Sequence, residues 1–199
     1  MNNIKEEVKK KIIEYSNENY LNKYIKSEFL TDKGDANIYL NIAKREELFD
    51  KRTVRPQIDL MDDIYKYIDI KSSILSNDIQ LNLHILNTKL KKEEQEKVCS
   101  LIKEHYGMEL YKVGREYKET KDRIYKLLVI GLFFLGLYMI LYYTFNSKLF
   151  IEILGFMFSF TLWESFDSFI FSLSNIKKQR EDITQKLLMD IYFDKKDID

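Results

Sequence analysis

Leu127–Phe145 reads LLVIGLFFLGLYMILYYTF, nineteen residues in succession without an acid, a lysine, an arginine or a histidine. A helix rises about 1.5 Å per residue, so this run reaches roughly 28 Å, close to the ~30 Å thickness of a bilayer's hydrocarbon core. A buried helix of a soluble domain keeps a polar face over such a length, and this stretch has none. Tyr138, Tyr142 and Tyr143 gather toward its far end, where amphipathic rings favour the headgroup region. The reading is therefore a transmembrane helix over 127–145.

After a three-residue turn at 146–148 a second apolar stretch follows, LFIEILGFMFSFTLWESFDSFIFSL, covering 149–173. Glu152, Glu164 and Asp167 interrupt it, so it qualifies as a span by pairing with the first helix, which shelters polar side chains from lipid. The short connection dictates an antiparallel hairpin. Lysine and arginine crowd both inner flanks (Lys112, Arg115, Lys118, Lys121, Arg123 and Lys126; then Lys177, Lys178, Arg180 and Lys186), whereas the turn holds only Lys148. That asymmetry predicts an external turn and cytoplasmic N- and C-termini. The opening MNNIKEEVKKKIIEY has no apolar run behind its charges and does not read as a cleaved signal peptide.

Overall composition conceals this layout. The chain has 199 residues, 32 basic and 32 acidic, and a formal net charge of zero. Residues 1–126 carry 25 basic and 23 acidic groups against 7 and 9 in 127–199, so a charged region dilutes two apolar helices. Without a basic surplus there is no case for a nucleic-acid partner. One cysteine and two histidines leave no disulfide and little material for a metal or cofactor site. Cys99, His84 and His105 read as packing or surface residues. Glycine-rich phosphate loops and nucleophile elbows are absent.

The expected fold class is a mainly α membrane protein with a small α+β N-terminal region over 1–111. One or two amphipathic helices are expected between Ile4 and Leu30, then a turn at Thr31–Asp35. Asn37–Ala43 and Ile79–Asn87 alternate with period two and predict about two strands. Pro56 opens a loop between them, and Leu60, Ile64, Tyr67 and Ile68 mark a helix. Strand, helix and strand permit a parallel pair with a right-handed crossover. A helix over 92–105 follows, with Asn87 or Thr88 as an upstream loop or cap residue, and a charged pre-membrane helix over 112–126.

In that charged helix Arg115/Glu119, Lys118/Asp122, Glu119/Arg123 and Asp122/Lys126 are opposite pairs at i,i+4. Leu110, Val113, Tyr117 and Ile124 form one apolar face. Ile176, Ile183, Leu187 and Ile191 give another along an amphipathic C-terminal helix and tail, 174–199. Ile183 and Tyr111 each lie 36 positions from Ser147, so the two extensions reach one level and can pack as a stalk.

The candidate intramembrane polar cluster is Lys126, Glu164 and Asp167. Asp167 is 20 positions from Ser147 and Lys126 is 21, which suggests an interhelical salt bridge; a proton or ion relay, or a site on lipid headgroups, is the functional alternative. Thr161, Ser165, Ser168 and Ser172 align as a small hydroxyl stripe that could receive the first helix or build an oligomer. Lys44–Glu47 is a charged cluster after a strand, read as a solvated loop or a ligand contact.

The run NIYLNIAKREELFD (37–50), the second strand, EEQEKVCSLIKEHYGMEL (93–110) and the hairpin ending in LWESFD (162–167) together resemble uncharacterised bacterial membrane proteins. That resemblance implies two membrane helices joined to a small cytoplasmic region, with no activity or catalytic residue to carry over. The expected function is a non-enzymatic, membrane-anchored binding, scaffolding or sensing module. Its partners would be the lipid bilayer, and a membrane protein or further copies of itself. The alternative is a subunit of a homo-oligomeric pore or transport assembly; a lipid-acting enzyme ranks last, for want of a nucleophile and base.

Overall fold

A computed structural model describes residues 11, 25, 28–42, 44–53, 58–86, 90–144 and 148–194. The expected helices before Leu30, the Pro56 loop, the Asn87/Thr88 cap, the turn residues Asn146 and Ser147, and the tail after Asp194 lie largely or wholly outside them. In chain order the elements are β1 (Ala36–Asn41), a 3-10 turn (Arg45–Glu47), α1 (Asp62–Ser72), β2 (Leu81–Leu86) and α2 (Lys92–Thr144). Then come α3 (Lys148–Asp167), a π turn (Ser168–Ser172), α4 (Leu173–Leu187) and β3 (Asp190–Asp194). The chain is mostly helical, and it divides into two compact units: Met1–Gly107 with Thr184–Asp199, and Met108–Ile183.

The first unit is built on a sheet of three parallel strands in the order β1-β2-β3. Period-two alternation buries Ala36, Ile38, Leu81, Leu83 and Ile85. Ile64, Tyr65 and Ile68 of α1 and Val98, Leu101, Ile102 and Tyr106 of α2 complete the core. Each such large side chain contributes about 1.5–3 kcal/mol when fully buried. The turn before β1 closes as expected: the Thr31 N–H donates to the Asp35 carbonyl at 2.8 Å, and Gly34 takes a φ of +88°, which glycine adopts without a Cβ penalty.

The expected C-terminal helix is present as far as Leu187, and the third strand corrects only its continuation to Ile191. Ile191 continues the helical spacing of Ile183 and Leu187, yet Asp190-Ile191-Tyr192-Phe193-Asp194 is also rich in β-branched and aromatic residues. What decides is the open edge of β2, whose backbone groups need partners. β3 supplies them in the register Asn82↔Asp190 to Leu86↔Asp194. The return is fastened tightly. The Gln185 side-chain amide donates to the carbonyls of Ser76 at 2.8 Å and Ile79 at 2.7 Å. Lys186 meets Asp69 at 2.9 Å, and Met189 is wholly buried. Both long apolar helices are thus carried within the connection between two neighbouring parallel strands.

The helix α2 is continuous over 53 residues, so the expected helix over 92–105 joins the charged segment 112–126, which runs straight on into the apolar run as expected. It pairs with α3 and α4 in antiparallel fashion. A Cβ placed on Gly131 would lie 3.0 Å from Thr161 Oγ1, one on Gly155 would lie 3.5 Å from the Tyr138 ring, and the Arg180 guanidinium sits 5.2 Å from the Tyr117 ring centre. Val113, Ile124, Gly131 and Ile176 are enclosed or nearly so between the helices. Positions 113, 117, 120, 124, 127, 131, 134 and 138 repeat at alternating spacings of four and three, the seam of two helices packed at a shallow angle. The π turn, with i→i+5 geometry, takes more residues per revolution and keeps Ser168, Ser172 and Ile176 on one face at spacings of four.

The remaining apolar surface of the second unit is not covered by that unit's own described residues. Only 11% of the most apolar window in α2, and 11% of that in the run Lys148–Leu187, is buried. Leu132, Phe133, Phe156, Trp163 and Phe169 all stand exposed. Both helices are long and apolar enough to cross a membrane.

Candidate functional site

The polar cluster of the helical unit centres on Arg123. Its guanidinium donates to Glu164 Oε1 at 3.0 Å and to Ser168 Oγ at 2.8 Å. This corrects the expected partnership with Lys126. Counting positions from the turn gives a residue's level but not its direction. Around the helix Lys126 is about 160° from Ile124 and about 100° from Leu127, whereas Arg123 is about 100° from Ile124 and only about 40° from Leu127, so Arg123 flanks the seam. Among the described residues neither Lys126 nor Asp167 enters an ion pair, and both are exposed. The i,i+4 series thins for the same reason. Arg115–Glu119 forms at 2.7 Å, but Arg123 turns to Glu164 instead of Glu119, and Asp122 pairs with neither Lys118 nor Lys126.

The hydroxyl stripe lies against α2. Ser168 is fully buried, Ser165 nearly so, and Thr161 is 7% exposed, while Ser172 is half-buried. Thr161 donates back to its own helix at Met157 and Phe158, and Ser165 Oγ lies 3.5 Å from the Ile124 carbonyl oxygen. Small side chains here permit the close approach at Gly131. One carboxylate, one guanidinium and one hydroxyl make a neutral clasp between helices.

The sheet unit holds two further arrangements. On the face opposite the core, Tyr39, His84 and Tyr192 stand side by side on the three strands, with ring centres 5.1 and 5.0 Å apart. His84 Nδ1 lies 2.8 Å from Asp194 Oδ2, which orients the imidazole. Beside this row Asn82 donates to Asn37, which donates to the Tyr39 hydroxyl. Sequence reasoning left His84 without a partner because Asp194 sits on the unforeseen third strand, 110 positions away.

The second arrangement is a cleft of about 580 Å³ beyond the carboxyl ends of β1 and β2. Glu46, Phe49, Asp50, Lys51, Thr53 and Ile58 line it from the loop after β1; Lys91, Glu93, Glu94 and Lys97 line it from the start of α2. Parallel sheets place ligands at this end, although the order β1-β2-β3 has no reversal to open a crevice between strands. Asp50 is held below the ordinary carboxylate range by side-chain and backbone hydrogen bonds from Arg52. The charged cluster at 44–47 contributes Glu46 to this cleft, while Glu47 accepts from the Lys44 N–H at 3.4 Å.

Reactive groups are muted in the same unit. Burial pushes the Cys99 thiol above its ordinary value, which disfavours the nucleophilic thiolate. Burial and a hydrogen bond to Asp59 at 2.7 Å raise the Tyr65 phenol as well. His105 stacks on Tyr65 with ring centres 3.7 Å apart. Among the described residues no three His, Cys, Asp or Glu side chains gather as metal ligands would. No protein-family model, curated protein or solved structure matches the chain.

Proposed function

We propose that this chain is a non-enzymatic, membrane-anchored binding, scaffolding or sensing module. Its helical hairpin would span a bacterial cytoplasmic membrane, with both termini on the cytoplasmic side. The observation that carries the reading is the uncovered apolar surface of α2 and α3, which water would disfavour at about 25 cal/mol per Å². The binding surface would be the cleft after β1 and β2, which combines an apolar floor at Phe49 and Ile58 with charges of both signs. The raised pKa of the Cys99 thiol and of the Tyr65 phenol favours binding over chemistry at these two residues.

Two measurements test this reading. A Ser147→Cys variant made in intact cells should react with a membrane-impermeant maleimide from outside only; labelling from the cytoplasm would overturn the topology. The detergent-extracted chain should retain a cytoplasmic or membrane partner that is lost on Lys51→Glu/Lys97→Glu substitution in the cleft. A partner held equally by that variant would move the binding surface elsewhere.

A further inference from the structure

One outward face of α2 combines charge and apolarity in an order that the seam does not use. Lys118, Lys121, Tyr125, Leu128 and Leu132 follow at spacings of three and four, so they share a stripe roughly a quarter to a third of a turn from the seam. All five are exposed, Tyr125 at 69% and Leu132 at 65%. Neither Lys118 nor Lys121 enters an ion pair with a described residue. Of the acids beside them in the helix, Glu119 is taken by Arg115 at 2.7 Å, and Asp122 forms no ion pair with either lysine. Along the helix the stripe passes from two ammonium groups through one phenol to leucines. About 10 Å separates Lys121 from Leu128.

We propose that this face binds anionic phospholipid, with Lys118 and Lys121 on the headgroup phosphate, Tyr125 at the headgroup boundary and Leu128 and Leu132 along an acyl chain. The inference rests on the membrane reading above and adds to it a headgroup class. A lysine pair selects a headgroup of net negative charge, because the amine of a zwitterionic headgroup offsets its own phosphate. One lysine near an anionic surface gives a factor of about five, and a single headgroup offers the pair one net charge to share, so about fivefold is expected of the pair.

The test uses the full chain in detergent, incubated with equimolar phosphatidylglycerol and phosphatidylethanolamine of identical acyl chains, and read by native mass spectrometry. Phosphatidylglycerol adducts should dominate about fivefold. The ratio should fall to near parity in Lys118→Gln/Lys121→Gln and persist in Lys112→Gln, whose lysine is paired with Glu109 at 2.7 Å. Parity in the unmodified chain, or an undiminished preference in the double variant, overturns the proposal. Alkaline carbonate washing of membranes carrying the chain separates the two ideas. Release sinks the membrane reading itself, whereas retention with headgroup parity sinks only the lipid preference.

Discussion

Substituting the two partners of the Asp69–Lys186 pair should have very different costs. The ammonium of Lys186 is 2.9 Å from Asp69 Oδ1 and 5.9 Å from the centre of the Tyr106 ring, and its side chain is only 6% exposed. Asp69 is 47% exposed and also accepts from the Tyr106 hydroxyl at 3.3 Å. Lys186→Met keeps the buried aliphatic stem and leaves Asp69 free to hydrate, so the loss is that of a half-screened ion pair, about 0–1 kcal/mol. Asp69→Asn removes one carboxylate from a buried cation. Removing one partner of a buried pair costs about 3–5 kcal/mol, and the remaining contacts of Lys186 place the expected loss near 3. Hydrogen exchange of the Asp190–Asp194 amides in detergent reports the attachment of β3. Protection should fall by about two orders of magnitude in Asp69→Asn, and by less than about fivefold in Lys186→Met. Equal losses, or a greater one in Lys186→Met, would refute the argument from unequal burial.

Other perturbations follow from the same geometry. Gly131→Val sets a Cβ against Thr161 Oγ1 at 3.0 Å and should separate the helices, lowering the thermal unfolding temperature of the detergent-solubilised chain; Gly155→Ala, with 3.5 Å of room, should leave it nearly unchanged. Arg123→Gln should lower the thermal stability of the detergent-solubilised chain, by about 1–2 kcal/mol for a charged hydrogen-bonded contact, while Lys126→Gln stays within about 0.5 kcal/mol. Thiol-reagent modification of Cys99 should run slower than that of a free thiol at pH 7.5. Its rate should continue to rise above the pH at which a free thiol levels off, since burial raises the pKa of the thiol; a plateau at lower pH would contradict that.

Consecutive residues determined the local elements. An unbroken apolar run makes a long helix wherever it lies, alternation makes Ala36–Asn41 and Leu81–Leu86 strands, and small hydroxyl side chains at helical spacing mark a seam. These depend on neighbours within a few positions, and periodicity records them. Tertiary structure alone decided three matters. It turned Asp190–Asp194 from helix to strand, because the edge of β2 offers hydrogen bonds that a terminal helical turn does not. It assigned Glu164 to Arg123, because packing of the seam sets the direction of each cation as well as its level. It gave His84 an acid 110 residues away. Contacts between residues so distant in the chain are selected by the crossing of whole elements, and local periodicity does not encode that crossing.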